Sequence, residues 1–187
     1  SKMSFFGLGL CLIFATSVLG KKDPDAYAEN PMNFPLQVLN DLTTQDSEFF
    51  VYKRDYKQDT SHKCLSAKKV REFENGTIQY RLSAKVNGNS ISYTVNADPI
   101  TTGNHTVPNG ARYEEQRGEG PINHRIMTTN RRHSCFVITV PHGRNHGCFV
   151  LVRENEVKNG IPYACRKVYN KECGEKSIQL YDDSCKQ

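Results

Sequence analysis

The chain of 187 residues contains no tryptophan, so any pocket it forms lacks the largest aromatic wall. It has no Gly-x-Ser-x-Gly elbow, no His-Glu-x-x-His pair and no phosphate-binding glycine loop, which removes the common hydrolase, zinc-protease and nucleotide-binding readings. After residue 20 no stretch approaches the roughly 20 apolar residues of a membrane-spanning helix. Basic residues do not alternate with aromatics in a nucleic-acid-binding stripe, and the net charge of +5 is small, with acids and bases interspersed. Internal repeats, low-complexity tracts and interdomain linkers are also missing. Neither an enzyme nor a cofactor is expected, and no membrane or nucleic-acid partner.

What is present begins with a targeting pattern. Lys2 precedes an apolar run from Phe5 to Phe14, followed by small residues and no acids. This is the anatomy of a secretory signal peptide over 1–20, with cleavage after Gly20 and a rival position after Ser17. The rest, 21–187, suits one domain of about 100–200 residues, secreted and extracellular. Of the seven cysteines, Cys11 leaves with the signal; Cys64, Cys135, Cys148, Cys165, Cys173 and Cys185 remain. An even count in a secreted chain reads as three disulfides, with connectivity open among fifteen possibilities. The sequons at Asn75 and Asn104 are candidate glycosylation sites in surface loops.

Between about 48 and 153 the hydrophobic period is two. Ile78, Tyr80, Leu82, Ala84 and Val86 share one face of TIQYRLSAKV, and Ile91, Tyr93, Val95 and Ala97 do the same in ISYTVNA. Such alternation marks antiparallel strands covered on one side. Asn75-Gly76, Asn87-Gly88, Asn109-Gly110 and the 141–147 segment supply turns. Strands are expected near 48–57, 62–73, 77–86, 90–97, 110–117, 122–130, 135–140 and 148–154. Eight strands in a meander close into an all-β barrel, which removes both exposed edges. FPLQVLNDL (34–42) predicts a short amino-terminal helix, and PYACRKVYNKEC (162–173) a helix of about three turns. SIQLY (177–181) predicts a last short strand.

The stretch CFVITVPHGRNHGCFVLV reads as a hairpin with a cysteine leading each arm. With 141–147 as the loop, Cys135 and Cys148 are offset by about five residues along the pair. At about 3.3 Å per residue this far exceeds the roughly 7 Å Cα separation a disulfide tolerates. One register places Phe136, Ile138 and Val140 beside Phe149, Leu151 and Arg153. Both cysteines then face outward, toward a helix lying outside the barrel.

The string from Cys135 through Pro141, Gly147-Cys148-Phe-Val-Leu-Val-Arg153, Asn159-Gly-Ile-Pro-Tyr-Ala-Cys165, Cys173 and Cys185 resembles the carboxyl-terminal half of tick salivary lipocalins, the histamine-binding protein group. Tyr56-Lys-Gln-Asp59 and Arg112-Tyr113-Glu114 match further pieces. The resemblance implies an eight-stranded antiparallel lipocalin barrel that sequesters host inflammatory mediators. It also implies bridges Cys64–Cys185 and Cys135–Cys165, which leave Cys148–Cys173 as the third. Members of the group take histamine or serotonin, leukotrienes or other lipids, or in a few cases a complement protein.

Tyr56, Asp59 and Tyr113 match amine-contacting positions of the group. Where its amine binders carry acids, this chain carries Phe136 and Phe149, and Leu151 replaces a pocket tryptophan. A buried ammonium needs carboxylates, whereas a greasy cavity lined by Phe136, Ile138, Phe149 and Leu151 suits a lipid. Arg153, at the end of the same face, would receive its carboxylate through a two-pronged hydrogen bond. Each residue also has a plain structural reading: packed core for the apolar four, strand aromatics for the tyrosines, a turn cap for Asp59 and a wetted rim for Arg153. His133, His142 and His146 lack acidic or free-thiol partners at ligand spacing and read as solvated loop rather than a metal site. The expected function is a monomeric scavenger of histamine, serotonin or an eicosanoid. The alternative is an inhibitor of host complement or haemostasis proteins acting through barrel-mouth loops.

Overall fold

A computed structural model describes residues 22–185; the stretch 1–20, expected to be a signal peptide, lies outside the described residues. Helix α1 (Pro24–Ala28), a 3-10 turn (Pro31–Leu36) and α2 (Asn40–Thr43) precede the barrel. Its strands are β1 (Phe49–Arg54), β2 (His62–Glu72), β3 (Ile78–Val86), β4 (Asn89–Ile100), β5 (Gly110–Tyr113), β6 (Ile122–Thr129), β7 (Cys135–His142) and β8 (Asn145–Arg153). Helix α3 (Tyr163–Glu172) and β9 (Ile178–Gln179) follow. Every consecutive pair from β2 to β8 is antiparallel, and β1 returns to pair with both β8 and β2. The barrel is therefore closed, as the strand count predicts.

Closure is thin. Strands β1 and β2 pair only through Phe49–Ala67 and Phe50–Ser66. Toward the other end they splay, and the β9 segment fills the gap. Lys53 and Arg54 pair with Gln179 and Ile178, while the Cys64 amide donates to the Leu180 carbonyl at 2.8 Å. The Cys64–Cys185 bridge, with Cα atoms 5.2 Å apart, pins this insert in place.

The side chains separate into an inner and an outer cluster. Phe49, Ile126, Phe136, Ile138, Val140, Phe149 and Leu151 fill the inside. Met127, Val137, Val150 and Val152 face outward, where α3 covers them with Cys165 and Tyr169. Cys135 and Cys148 share that outer face and join Cys165 and Cys173, with Cα separations of 6.3 and 5.9 Å. All three bridges implied by the resemblance form.

Three local expectations change. The β7–β8 pairing runs on to His142–Asn145, so the loop is only Gly143-Arg144, and Cys148 sits opposite Thr139, four residues from Cys135. The expected helix over 34–42 is split, because Pro35 supplies no amide for an i−4 bond and the segment tightens to 3-10 before α2 begins. Asn109-Gly110 is the buried start of β5 rather than a turn: the Asn109 side chain accepts from the Thr102 amide at 2.9 Å and spans the base of the 101–108 loop. Asn87-Gly88 does form the tight β3–β4 turn, with φ of +50° and +81°. Asn75 and Asn104 are both exposed in loops. Among the described residues no helix is long and apolar enough to cross a membrane.

Candidate functional site

One barrel end is covered by the amino-terminal segment, whose Leu39 and Leu42 reach the interior. The other end carries the β1–β2, β3–β4, β5–β6 and β7–β8 connections and opens into a cavity of about 420 Å³. A deeper, smaller space of about 70 Å³ continues toward the closed end. The two share Ala67, Leu82, Tyr113, Phe149 and Leu151 as walls.

Five expected site residues line this space: Tyr56, Tyr113, Ile138, Phe149 and Leu151. Three stand elsewhere. Phe136 is fully buried and packs edge-on against Phe49, 5.7 Å between ring centroids, at the closed end. Asp59 is exposed in the β1–β2 loop and is not a cavity wall. Arg153 has the expected strand face but lies at the closed end. There its Nη2 donates to Gln45 Oε1 at 2.8 Å, to the Arg132 carbonyl at 3.0 Å and to the His133 carbonyl at 2.9 Å. It ties the β6–β7 loop to the segment after α2 and does not reach the cavity.

Two arginines line the cavity, Arg117 exposed at the mouth and Arg54 in the wall, only 3% exposed. A bulge between Val51 and Lys53 places Tyr52 and Lys53 both outward and returns Arg54, opposite Phe149, to the inner face. Its guanidinium lies 5.3 Å from the Tyr56 ring centroid, and Nη2 donates to the Lys57 carbonyl at 2.7 Å. Nε is buried without an acceptor. Among the described residues Arg54 forms no ion pair. A buried charge without a counter-charge is costly, so this side chain is poised to accept an anion.

Glu115, in the β5–β6 loop, is the acid of the mouth. Its Oε1 accepts from the Tyr56 hydroxyl at 2.5 Å and faces His124 Nε2 at 3.2 Å; Oε2 meets Lys57 Nζ at 3.1 Å. Burial pushes its pKa up, but the His124 and Tyr56 hydrogen bonds and the Lys57 ammonium outweigh that and hold it at about 2. Tyr113 stacks on His124 at 3.7 Å between centroids. Tyr93 donates to the Glu115 carbonyl and carries the Arg117 guanidinium 5.2 Å from its ring. Burial, aided by Glu115, raises the pKa of both Tyr56 and Tyr113 well above the ordinary tyrosine range, so both remain neutral donors.

Strand alternation points to Tyr93 as inward, whereas Arg54 and Glu115 have no such signal. The arrangement is a deep apolar chamber with hydroxyls, one satisfied carboxylate and two guanidinia without ion pairs among the described residues, Arg54 buried and Arg117 exposed.

The profile described as "Tick histamine binding protein" matches residues 27–187. No curated protein sequence matches significantly. Among solved structures, japanin from Rhipicephalus appendiculatus bound to cholesterol superposes with a TM-score of 0.57 at 10% identity, over 76% of this chain and 97% of that one. A serotonin complex of AM182 gives 0.57 at 12% identity, over 86% and 91%. Insecticyanin from the tobacco hornworm Manduca sexta gives 0.56 at 12%, over 81% and 87%. At such identities these structures establish the shared lipocalin barrel.

Proposed function

The chain belongs to the tick histamine-binding protein family, and from that premise we propose that it is a secreted scavenger that encloses an anionic lipid, a fatty acid or an eicosanoid such as a leukotriene. The carrying observation is Arg54, a 3% exposed cation without a counter-charge in the wall of a cavity of about 420 Å³. A lipid carboxylate would supply that charge through short, charge-assisted hydrogen bonds while its tail follows Phe149 and Leu151 toward Ile138. A chamber of this size exceeds what one biogenic amine fills. Glu115 already has three partners, so a ligand ammonium would have to displace Lys57 or share the carboxylate with it. Sequestration is stoichiometric: a ligand held in the chamber above the closed floor is removed from solution.

A second reading rests on Glu115 itself. An ionised carboxylate among Tyr56, Tyr93, Tyr113 and His124 is chemistry that can hold a cationic aromatic amine. The japanin and AM182 complexes, one with cholesterol and one with serotonin, show that this barrel shape accommodates both lipids and amines in other proteins. Calorimetric titration with oleate, a leukotriene, histamine and serotonin separates the two. Lipid binding with negligible amine heat supports the first reading; the reverse supports the second. Absence of binding to all four removes both and leaves the mouth loops as a surface for a host protein.

A further inference from the structure

Strands β2, β3 and β4 stand side by side on the wall opposite α3, and their outward faces have an unusual charge distribution. Over the three strands the chain places six of its 25 Lys and Arg and only two of its 20 Asp and Glu, Glu72 and Asp98, both toward the closed end. The rest of the molecule is consequently close to neutral. Lys69 turns away, bound to Glu72 and to the Thr43 carbonyl. The other five face out. Lys63 stands directly opposite Lys85, and Lys68 directly opposite Arg81. Arg71 follows opposite Gln79, over the ring of Phe73 at 4.4 Å.

Like charges directly across a strand pair destabilise a sheet. At the mouth end the chain offsets this, since Lys63 and Lys85 donate to the Gln179 and Ser184 carbonyls near Asp182. Lys68 and Arg81 are exposed and, among the described residues, have neither an ion pair nor a side-chain hydrogen bond. From Lys63 to Arg71 the row spans about 26 Å at about 3.3 Å per residue. Its neighbours on the same face are Gln79, Ser83, Thr94 and Asn96, hydroxyls and amides, with Phe73 the one aromatic ring beside the row.

We infer that the outer face of β2–β4 is a second binding site, distinct from the barrel cavity, for a sulfated polysaccharide. A linear array of cations on a rigid sheet, with Lys68, Arg71 and Arg81 forming no ion pair among the described residues, complements a linear array of sulfates, and the flanking hydroxyls and amides suit sugar hydroxyls. A single ring, Phe73 at one end of the row, is too little stacking surface for single-stranded nucleic acid, whose bases stack on successive aromatics. Only Val70 adds a large exposed apolar side chain next to the row, too little to enter a bilayer. Docking there would hold the scavenger on extracellular matrix with the mouth unobstructed.

The test is titration of a heparin hexasaccharide at about 0.15 M salt into the wild-type protein, Lys68→Ser/Arg81→Ser and the equally charged control Arg131→Ser/Arg144→Ser, whose two positions are exposed in other loops. Thermal unfolding verifies the fold of each, and Lys68→Gln/Arg81→Gln replaces the first double variant if it unfolds early. The expected result is about tenfold weaker binding for the strand variant, two charge-assisted contacts being lost, with the control within twofold of wild type. Equal weakening in both variants would mean that net charge alone is sensed and would overturn the site. So would absence of wild-type binding, or equal affinity for a DNA oligonucleotide or for phosphatidylserine vesicles.

Discussion

The Tyr56 hydroxyl donates to the Glu115 carboxylate across 2.5 Å, joining the loop after β1 to the loop after β5 over the cavity mouth. Lys57 adds bonds to Glu115 at 3.1 Å and Glu119 at 2.5 Å across the same gap. The mouth is thus shaped by a charge cluster whose strength depends on pH. Glu115 has its folded pKa depressed from 4.5 to about 2. The resulting stabilisation is present above the unfolded pKa and is lost as pH falls from about 4.5 toward about 2. It is on the order of 3 kcal/mol. Glu115→Gln should lower stability at pH 7 and flatten the acid dependence in that window, read by urea unfolding at several pH values. A variant as acid-sensitive as wild type would show that other carboxylates govern the transition.

Gly147 bears on the same tyrosine. A Cβ there would stand 2.7–2.9 Å from Tyr56 side-chain carbons, closer than real contacts allow. Gly147→Ala should displace Tyr56 from Glu115, cost about 1–3 kcal/mol and weaken ligand binding. Denaturant unfolding and ligand titration on one preparation measure both effects. Unchanged affinity would exclude Tyr56 placement as a determinant.

The bridges should differ in value. Cys64–Cys185 closes 121 residues and Cys148–Cys173 closes 25. Chain entropy assigns them about 5 and about 3.5 kcal/mol respectively. Replacing the first pair by serine should cost more, and it should also loosen β9 beside Arg54, reducing affinity. Replacing the second should leave affinity nearly intact. Hydrogen exchange over 178–181 reports the loosening directly, and unchanged protection there would show that β9 pairing holds the seam without the bridge.

Arg153→Ala removes one donor group from three acceptors at the closed end. A loss of about 1–3 kcal/mol in stability is expected, with lipid affinity within twofold of wild type. A large affinity loss together with intact stability would bring Arg153 back into the site.

These residues also show what the sequence made legible. Period-two alternation identified the eight barrel strands and the inward set Ile138, Phe149 and Leu151, because covering one sheet face forces that pattern. The disulfide pairing followed from the family resemblance. Alternation placed Arg153 on the correct face but says nothing of which end is open, and α2 with its flanking segment closes the end where Arg153 lies. Arg54 was hidden because the bulge after Val51 shifts the parity of β1 by one residue, and no local residue type announces it. Glu115 sits in an irregular loop, where position depends on long-range partners such as Tyr56 and His124 rather than on periodicity. The basic row on β2 and β3 reads in sequence as scattered lysines and arginines until strand pairing sets Lys68 beside Arg81.

The affinity of Arg54→Gln for a long-chain fatty acid, measured by calorimetry at pH 7 beside wild type, tests the central claim most directly. Glutamine keeps much of the side chain's bulk and its hydrogen-bonding capacity while removing the unpaired charge. The expected result is a loss of about tenfold or more, corresponding to one charge-assisted contact, with histamine heats unaffected. Wild-type fatty-acid affinity in the variant would contradict an anionic ligand anchored at Arg54.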